Sequence, residues 1–120
     1  MFDQKAKSDY ALLGKTNRII EGTKIHGNIE SPVDMRIDGE VFGNISCEGK
    51  IVLGHNSKIQ GDVVCKNIDV EGKFEGKLDV AELLTIRKTA TIKGDVFASK
   101  LAVEPGAVFE ASCEMRKLNS

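Results

Sequence analysis

The short pattern apolar-x-Gly-x-apolar recurs along this chain, and no other feature restricts its fold so tightly. It reads IHGNI at 25–29, VFGNI at 41–45, IQGDV at 59–63, FEGKL at 74–78 and IKGDV at 92–96, with a degenerate sixth copy, FEASC, at 109–113. The central residues are Gly27, Gly43, Gly61, Gly76, Gly94 and Ala111, spaced 16, 18, 15, 18 and 17 apart. The alternation points to a unit of two turns. Residues 36–68 lie over 69–101 without a gap, which brings Gly39 onto Gly72, Gly43 onto Gly76, Ile59 onto Ile92 and Gly61 onto Gly94.

Within the repeat the apolar period is 2. Ile37, Gly39, Val41, Gly43, Ile45, Cys47, Gly49, Ile51 and Leu53 share one parity, while Asp38, Glu40, Asn44, Ser46, Glu48 and Lys50 share the other. That is a strand signal with one dry face. Seventeen or so residues exceed a typical strand of about 5 to 6 residues, and glycines in phase allow bends between shorter segments. A chain that bends every few residues and keeps one face inward stacks as a solenoid. The expected fold is therefore all-β, a single-domain β-helix of about six coils over residues 18–113. Residues 1–17 and 114–120 lack the repeat and are expected to be short tails. Periodicity alone leaves the handedness open.

Charges that took no part in this alignment support the register. Stacking places Lys77 between Asp62 and Asp95, and Lys93 between Glu75 and Glu110. Opposite charges on neighbouring strands favour a register by roughly 0.2 to 1 kcal/mol each.

The composition narrows the chemistry. Seventeen basic against 18 acidic side chains give a net charge of -1, so no basic excess drives binding to a phosphate backbone, and no nucleic-acid partner is expected. No apolar run approaches the roughly 18 residues of a membrane span, and neither a transmembrane helix nor a secretory signal is expected. Cys47, Cys65 and Cys113 are odd in number, widely spaced and without a CxxC pair, which fits a reducing, cytoplasmic setting. All three take inward parity as small hydrophobes. His26 and His55 point outward and lack partners at metal-ligand spacing. No P-loop or dinucleotide fingerprint occurs, so no cofactor is expected and the glycines read as turn and packing residues. One catalytic alternative remains. LGHNSKI at 53–59 looks like one hexad of a left-handed β-helix hexapeptide-repeat acyltransferase, with His55 as the base, but the hexads do not continue.

A solenoid without a polar cap exposes strand edges and apolar side chains at both ends, a surface for another copy of itself. The last coil presents Phe109, Leu101 and Val103, and the first coil Ile20, Ile25 and Ile29. Parity also points Phe42, Val52, Val64 and Phe97 outward, where a partner protein would meet them.

These repeats resemble the bactofilins, bacterial polymer-forming cytoskeletal proteins. The resemblance is carried by GTKIHGNI (22–29), RIDGEVFGNI (36–45), VLGHNSKIQGDV (52–63), TIRKTATIKGDV (85–96) and LAVEPGAVFEASCEM (101–115), in that order and spacing. Ala111 departs from the pattern, where glycine would be usual. The resemblance implies a right-handed β-helix of about six windings and nucleotide-independent, end-to-end filaments. It also implies a cytoplasmic scaffold that positions cell-wall enzymes or other morphogenetic proteins, and so not an enzyme. The start, MFDQKAKS, looks like the short membrane-targeting segment of many bactofilins. Met1 and Phe2 form its apolar tip, Lys5 and Lys7 follow, and the implied location is the inner face of the cytoplasmic membrane.

Overall fold

The computed structural model describes residues 16–115, and all of its regular secondary structure is β. The strands are β1 (Asn17–Ile19), β2 (Lys24–His26), β3 (Ile29–Ser31), β4 (Met35–Ile37), β5 (Glu40–Phe42), β6 (Ile45–Cys47) and β7 (Lys50–Leu53). They continue with β8 (Lys58–Gln60), β9 (Val63–Cys65), β10 (Asn67–Val70), β11 (Lys73–Ile86), β12 (Thr91–Val103) and β13 (Val108–Met115). The strands begin at Asn17 and run to Met115, slightly outside the expected bounds of 18 and 113.

Every pairing is parallel, and each strand meets the equivalent segment of the next coil. Three strand segments make one coil, and six coils stack into a three-sided solenoid. In the last three coils the segments fuse across the corners, so that β11 and β12 each contribute to two coils. Face one stacks β1, β4, β7, β10 and the C-terminal segments of β11 and β12. Face two stacks β2, β5, β8 and the N-terminal segments of β11, β12 and β13. Face three stacks β3, β6, β9 and the remaining segments of the three long strands.

The interior consists of vertical columns of like side chains. One runs Ile25, Val41, Ile59, Phe74, Ile92, Phe109. Another runs Ile19, Ile37, Leu53, Val70, Ile86, Val103. Ile37, Val41, Ile51, Ile59, Val70, Leu84, Ile86 and Ile92 are wholly buried. Branched aliphatics suit this space because each stacks on its own kind at the strand spacing of about 4.8 Å.

The glycine column fixes the tightest corner. Gly61 has φ +149°, and a Cβ there would overlap the carbonyl oxygen of Gly43 in the coil beneath. Gly43, Gly76 and Gly94 repeat the arrangement on their own predecessors. Beside them the next residue ties the coils: Asn28 Oδ1 accepts from the Asn44 backbone N–H at 3.0 Å, and Asn44 Oδ1 from that of Asp62 at 3.0 Å.

The alternating spacing has a physical cause at another corner. Coils one, three, five and six turn there through four-residue turns closed by Thr23 N–H to Ile20 C=O, Ser57 to Gly54, Ala90 to Arg87 and Ala107 to Glu104. Coils two and four cut the corner short at Gly39 and Gly72. Each of these two buried glycines lies directly on the turn of the preceding coil, where a Cβ would press on the carbonyls of Ile20 and Thr23, or of Gly54 and Ser57.

Charges tie the upper coils together. Asp69, 8% exposed, receives Arg87 through Nε at 3.0 Å and through Nη2 at 2.6 Å. Arg87 Nη1 reaches Glu104 Oε2 at 3.1 Å, and Glu104 Oε1 accepts the Lys88 backbone N–H at 2.9 Å. Coils four, five and six are thus clasped on one side. Those hydrogen bonds, Lys88 first and then Arg87, hold the Glu104 carboxyl below its ordinary range. Lys93 pairs with Glu110 at 3.8 Å, as the register required. Lys77 takes the expected place in its column but behaves differently. Its backbone N–H bonds to Asp62 Oδ1 at 3.3 Å while its ammonium lies over the Phe97 ring at 5.5 Å.

Two tests follow from these contacts. Gly27 has φ +140° and open space where a Cβ would go, so Gly27→Ala carries only the backbone strain, roughly 1 to 3 kcal/mol. Gly61→Ala adds the clash with the coil below and is expected to cost clearly more in urea unfolding. Equal losses would remove the column from the account. At the clasp, a depressed carboxyl stabilises the folded state fully above the unfolded value, about 4.3, and the contribution is lost as pH falls through the lowered folded value. Glu104→Gln should therefore speed hydrogen exchange in residues 104–115 at pH 6, and the difference from the parent chain should shrink on acidification. A difference that persists unchanged at pH 2 would contradict the clasp.

Candidate functional site

The inward columns end where the stacking ends, and their terminal members form two apolar end surfaces. At the last coil Phe109 and Leu101 are half-buried and pack on the core, while Val103 is 50% exposed. Met115, 50% exposed, and Cys113 close the same end. At the first coil Ile25 and Ile29 are half-buried against the core beside Ile19.

Five of the six residues expected at the ends are thus terminal members of inward columns. Ile20 departs from that pattern. It is 64% exposed at the corner above which Asp38 stands, just past β1, whose last residue, Ile19, is the inward one. The shift arises because the first turn begins at Ile20, whose carbonyl accepts the Thr23 N–H at 3.1 Å. Parity within single coils does not single out Met115 and Ile19; extending the columns to the first and last coils identifies both.

The ends are also edges in the hydrogen-bonding sense. Inside the stack, backbone groups of each coil bond to those of the next, as in Gly43 N–H to Gln60 C=O at 2.9 Å and Gly61 N–H to Glu75 C=O at 3.0 Å. Coils one and six have such a neighbour on one side only within the described residues. An open parallel edge with an apolar floor is a template for more strands. Each terminal side chain fully covered by another copy contributes about 1.5 to 3 kcal/mol of apolar burial.

The cysteines divide by position. Cys47 and Cys65 are buried, and burial pushes both thiols up from their ordinary value. Cys113 corrects the expectation of a buried small hydrophobe. It occupies the inward column above Val63, Leu78 and Val96, yet it is exposed because no coil among the described residues covers it. Its Sγ lies 3.8 Å from Met115 Sδ.

On the sides, Phe42 is half-buried, stacked on His26 with ring centroids 4.9 Å apart and capped by the Lys58 ammonium at 5.9 Å. Val52 is half-buried on face one. Val64 is 53% exposed on face three and shares a column with half-buried Phe97, two coils on. His55 stands exposed on the turn of coil three. Met1, Phe2, Lys5 and Lys7 lie outside the described residues. Among the described residues no helix is long and apolar enough to cross a membrane.

The chain is similar to known proteins in sequence and in fold. The chain is 23% identical over 91 residues to bactofilin BacO of Myxococcus xanthus (strain DK1622), covering 76% of this chain and 72% of that protein. It is 22% identical over 91 residues to bactofilin BacP of the same organism, covering 76% of this chain but 38% of that longer protein. Its fold matches the structure titled "Atomic structure of the cytoskeletal bactofilin BacA revealed by solid-state NMR", with a TM-score of 0.76 and 22% identity over 85% of this chain and 97% of that one. The model of the family described as "Bactofilin: Polymer-forming cytoskeletal" matches residues 17–114, from the first strand almost to the end of the last. The chain therefore belongs to the bactofilins, a family of polymer-forming cytoskeletal proteins.

Proposed function

We propose that this protein is a cytoplasmic scaffold that assembles end to end into filaments without nucleotide or metal, lies on the inner face of the cytoplasmic membrane, and there positions cell-wall synthesis or remodelling proteins. The observation that carries assembly is the pair of apolar, open-edged ends, with Phe109, Leu101 and Val103 at one and Ile25 and Ile29 at the other, flanked by Ile20. A cation in place of Phe109 on the apolar last coil would have to lose its hydration when another copy docks. Phe109→Arg is accordingly expected to give a folded, small, soluble species, with β-type circular dichroism retained and filaments absent in electron micrographs. Filaments of undiminished length would remove the last coil from the junction.

Membrane attachment rests on the segment before the solenoid. Phe2 at the acyl boundary contributes about 1.5 to 3 kcal/mol, and Lys5 and Lys7 about 1 kcal/mol each near anionic lipid, partly offset by Asp3. A single tail binds weakly, whereas a filament displays many, and multivalency raises apparent affinity by roughly 10² to 10⁴. Co-sedimentation with anionic liposomes should fall for Phe2→Glu and for a chain lacking residues 1–8. It should also fall for unassembled Phe109→Arg, whose tail is intact. Equal pelleting of the truncated and full chains would exclude the tail, and undiminished pelleting of Phe109→Arg would exclude multivalency.

A further inference from the structure

The three faces differ in outward charge. Face three carries Glu30, Asp62, Asp79, Asp95 and Glu114 against Lys66 and Lys77. Face two mixes Lys24, Lys58, Lys73 and Lys93 with Glu40, Glu75 and Glu110. On face one the outward cations are Arg18, Arg36, Lys50 and Lys100. Asp69, in their midst, is 8% exposed and bound by Arg87, and Arg36 pairs with Asp38 at the adjoining corner at 2.9 Å. Arg18, Lys50 and Lys100 form no ion pair among the described residues. Leu83, 37% exposed, and half-buried Val52 stand among them. Cations interspersed with aliphatic side chains suit the interface of an anionic bilayer, which repels a face such as the third.

The cations crowd at the first coils. Arg36 stands in register on Arg18, and Lys50 follows in the next coil and the neighbouring column. Like charges directly opposite on neighbouring strands cost stability, and an anion held between them removes that cost. A groove of about 340 Å³ opens here, lined by Thr16, Val52 and the three cations. Its one carboxylate, Asp34, turns Oδ1 to the Lys50 backbone N–H at 2.9 Å. Guanidinium forks match the oxygens of phosphate in pairs. Arg36 commits Nε and Nη2 to Asp38 and keeps Nη1, while Arg18 keeps its whole fork. Thr16 is the first described residue, so the segment that carries Phe2, Lys5 and Lys7 joins the solenoid at the edge of this groove. We propose that face one is the side the solenoid turns to the membrane, with Arg18, Arg36 and Lys50 holding the phosphate of an anionic lipid headgroup in the groove. This rests on the membrane attachment proposed above and deepens it, by giving the filament a lipid-facing side.

The test reads the orientation directly. In the full chain with Cys113→Ser, a polarity-sensitive thiol dye is placed on face one through Leu83→Cys or on face three through Val64→Cys. With phosphatidylglycerol vesicles the dye at 83 should shift to the blue and be quenched by a nitroxide headgroup lipid, and the dye at 64 should do neither. Phosphatidylcholine vesicles, which carry no net charge, should move neither dye. Co-sedimentation with the phosphatidylglycerol vesicles should weaken about tenfold or more for Arg18→Gln with Lys50→Gln. Lys24→Gln with Lys73→Gln, which removes the same charge from face two, should change it less than about twofold. Both pairs should retain filaments, and the dye, which needs neither pair, decides if one does not. Equal losses from the two pairs, or a stronger dye response at 64, would overturn the proposal. If removing residues 1–8 leaves pelleting unchanged while the face-one pair still lowers it, the tail is excluded and the groove stands. If removing them abolishes pelleting and the face-one pair leaves it unchanged, the tail stands and the groove falls. Binding of inorganic phosphate in calorimetry, lost in the face-one pair and unaccompanied by a dye response to vesicles, would reassign the groove to a soluble phosphate and overturn the proposal as well.

Discussion

Everything in this solenoid depends on how closely one coil can approach the next at the glycine corner. The carbonyl of Gly43 lies where a side chain on Gly61 would begin, and the same contact recurs at Gly76 and Gly94. Parallel strands must sit at the hydrogen-bonding distance of about 4.8 Å along their whole length, and a side chain at Gly43, Gly61, Gly76 or Gly94 would hold two coils apart, whereas Ala111, on the last described coil, stands in register on Gly94. The column therefore sets the register of all three faces at once. Because the side-chain period is 2, that register also decides which residues enter the core.

This explains why so much of the architecture was legible. Glycine at one repeated position, with Ile, Val, Leu or Phe two residues to either side, specifies both a close approach and an inward face. The matches of Ile37 with Val70 and of Ile59 with Ile92 became columns two coils apart. What stayed hidden depends on contacts between coils that no pattern within a coil encodes. The meeting of Arg87 with both Asp69 and Glu104 is one case, since it joins residues 18 and 17 positions away. Lys77 is another, where the column was right but the ammonium chose an aromatic ring over the neighbouring carboxylates. Cys113 was placed in the correct column, yet its exposure follows from its place on the last of the described coils.

The candidate site was legible for the same reason and to the same extent. Phe109, Leu101, Val103, Ile25 and Ile29 end inward columns, so parity located them. Ile20 did not follow because parity slips wherever a four-residue turn interrupts the strand. The long turns over Gly39 and Gly72 show the other side of that interruption: they make the repeat two coils long without disturbing the columns on the three faces.

The direction of the bonds between coils carries a mechanical meaning. They run along the axis of the solenoid, and the first and last strands lie at opposite ends of it. Tension applied to the two ends of one chain therefore opens coils by peeling, a few hydrogen bonds at a time, instead of shearing a whole sheet at once. The Arg87 clasp resists that peeling at the last coil, since lifting Glu104 must break its hold on a guanidinium already anchored to Asp69 in coil four. The first coil is joined to the second, beyond the backbone ladder, by the neutral hydrogen bond from Asn44 N–H to Asn28 Oδ1, while Asn17 Nδ2 donates to Ser31 Oγ at 2.7 Å within the coil itself. Under load the solenoid is thus a graded fastener that yields from its first coil and holds longest at its last.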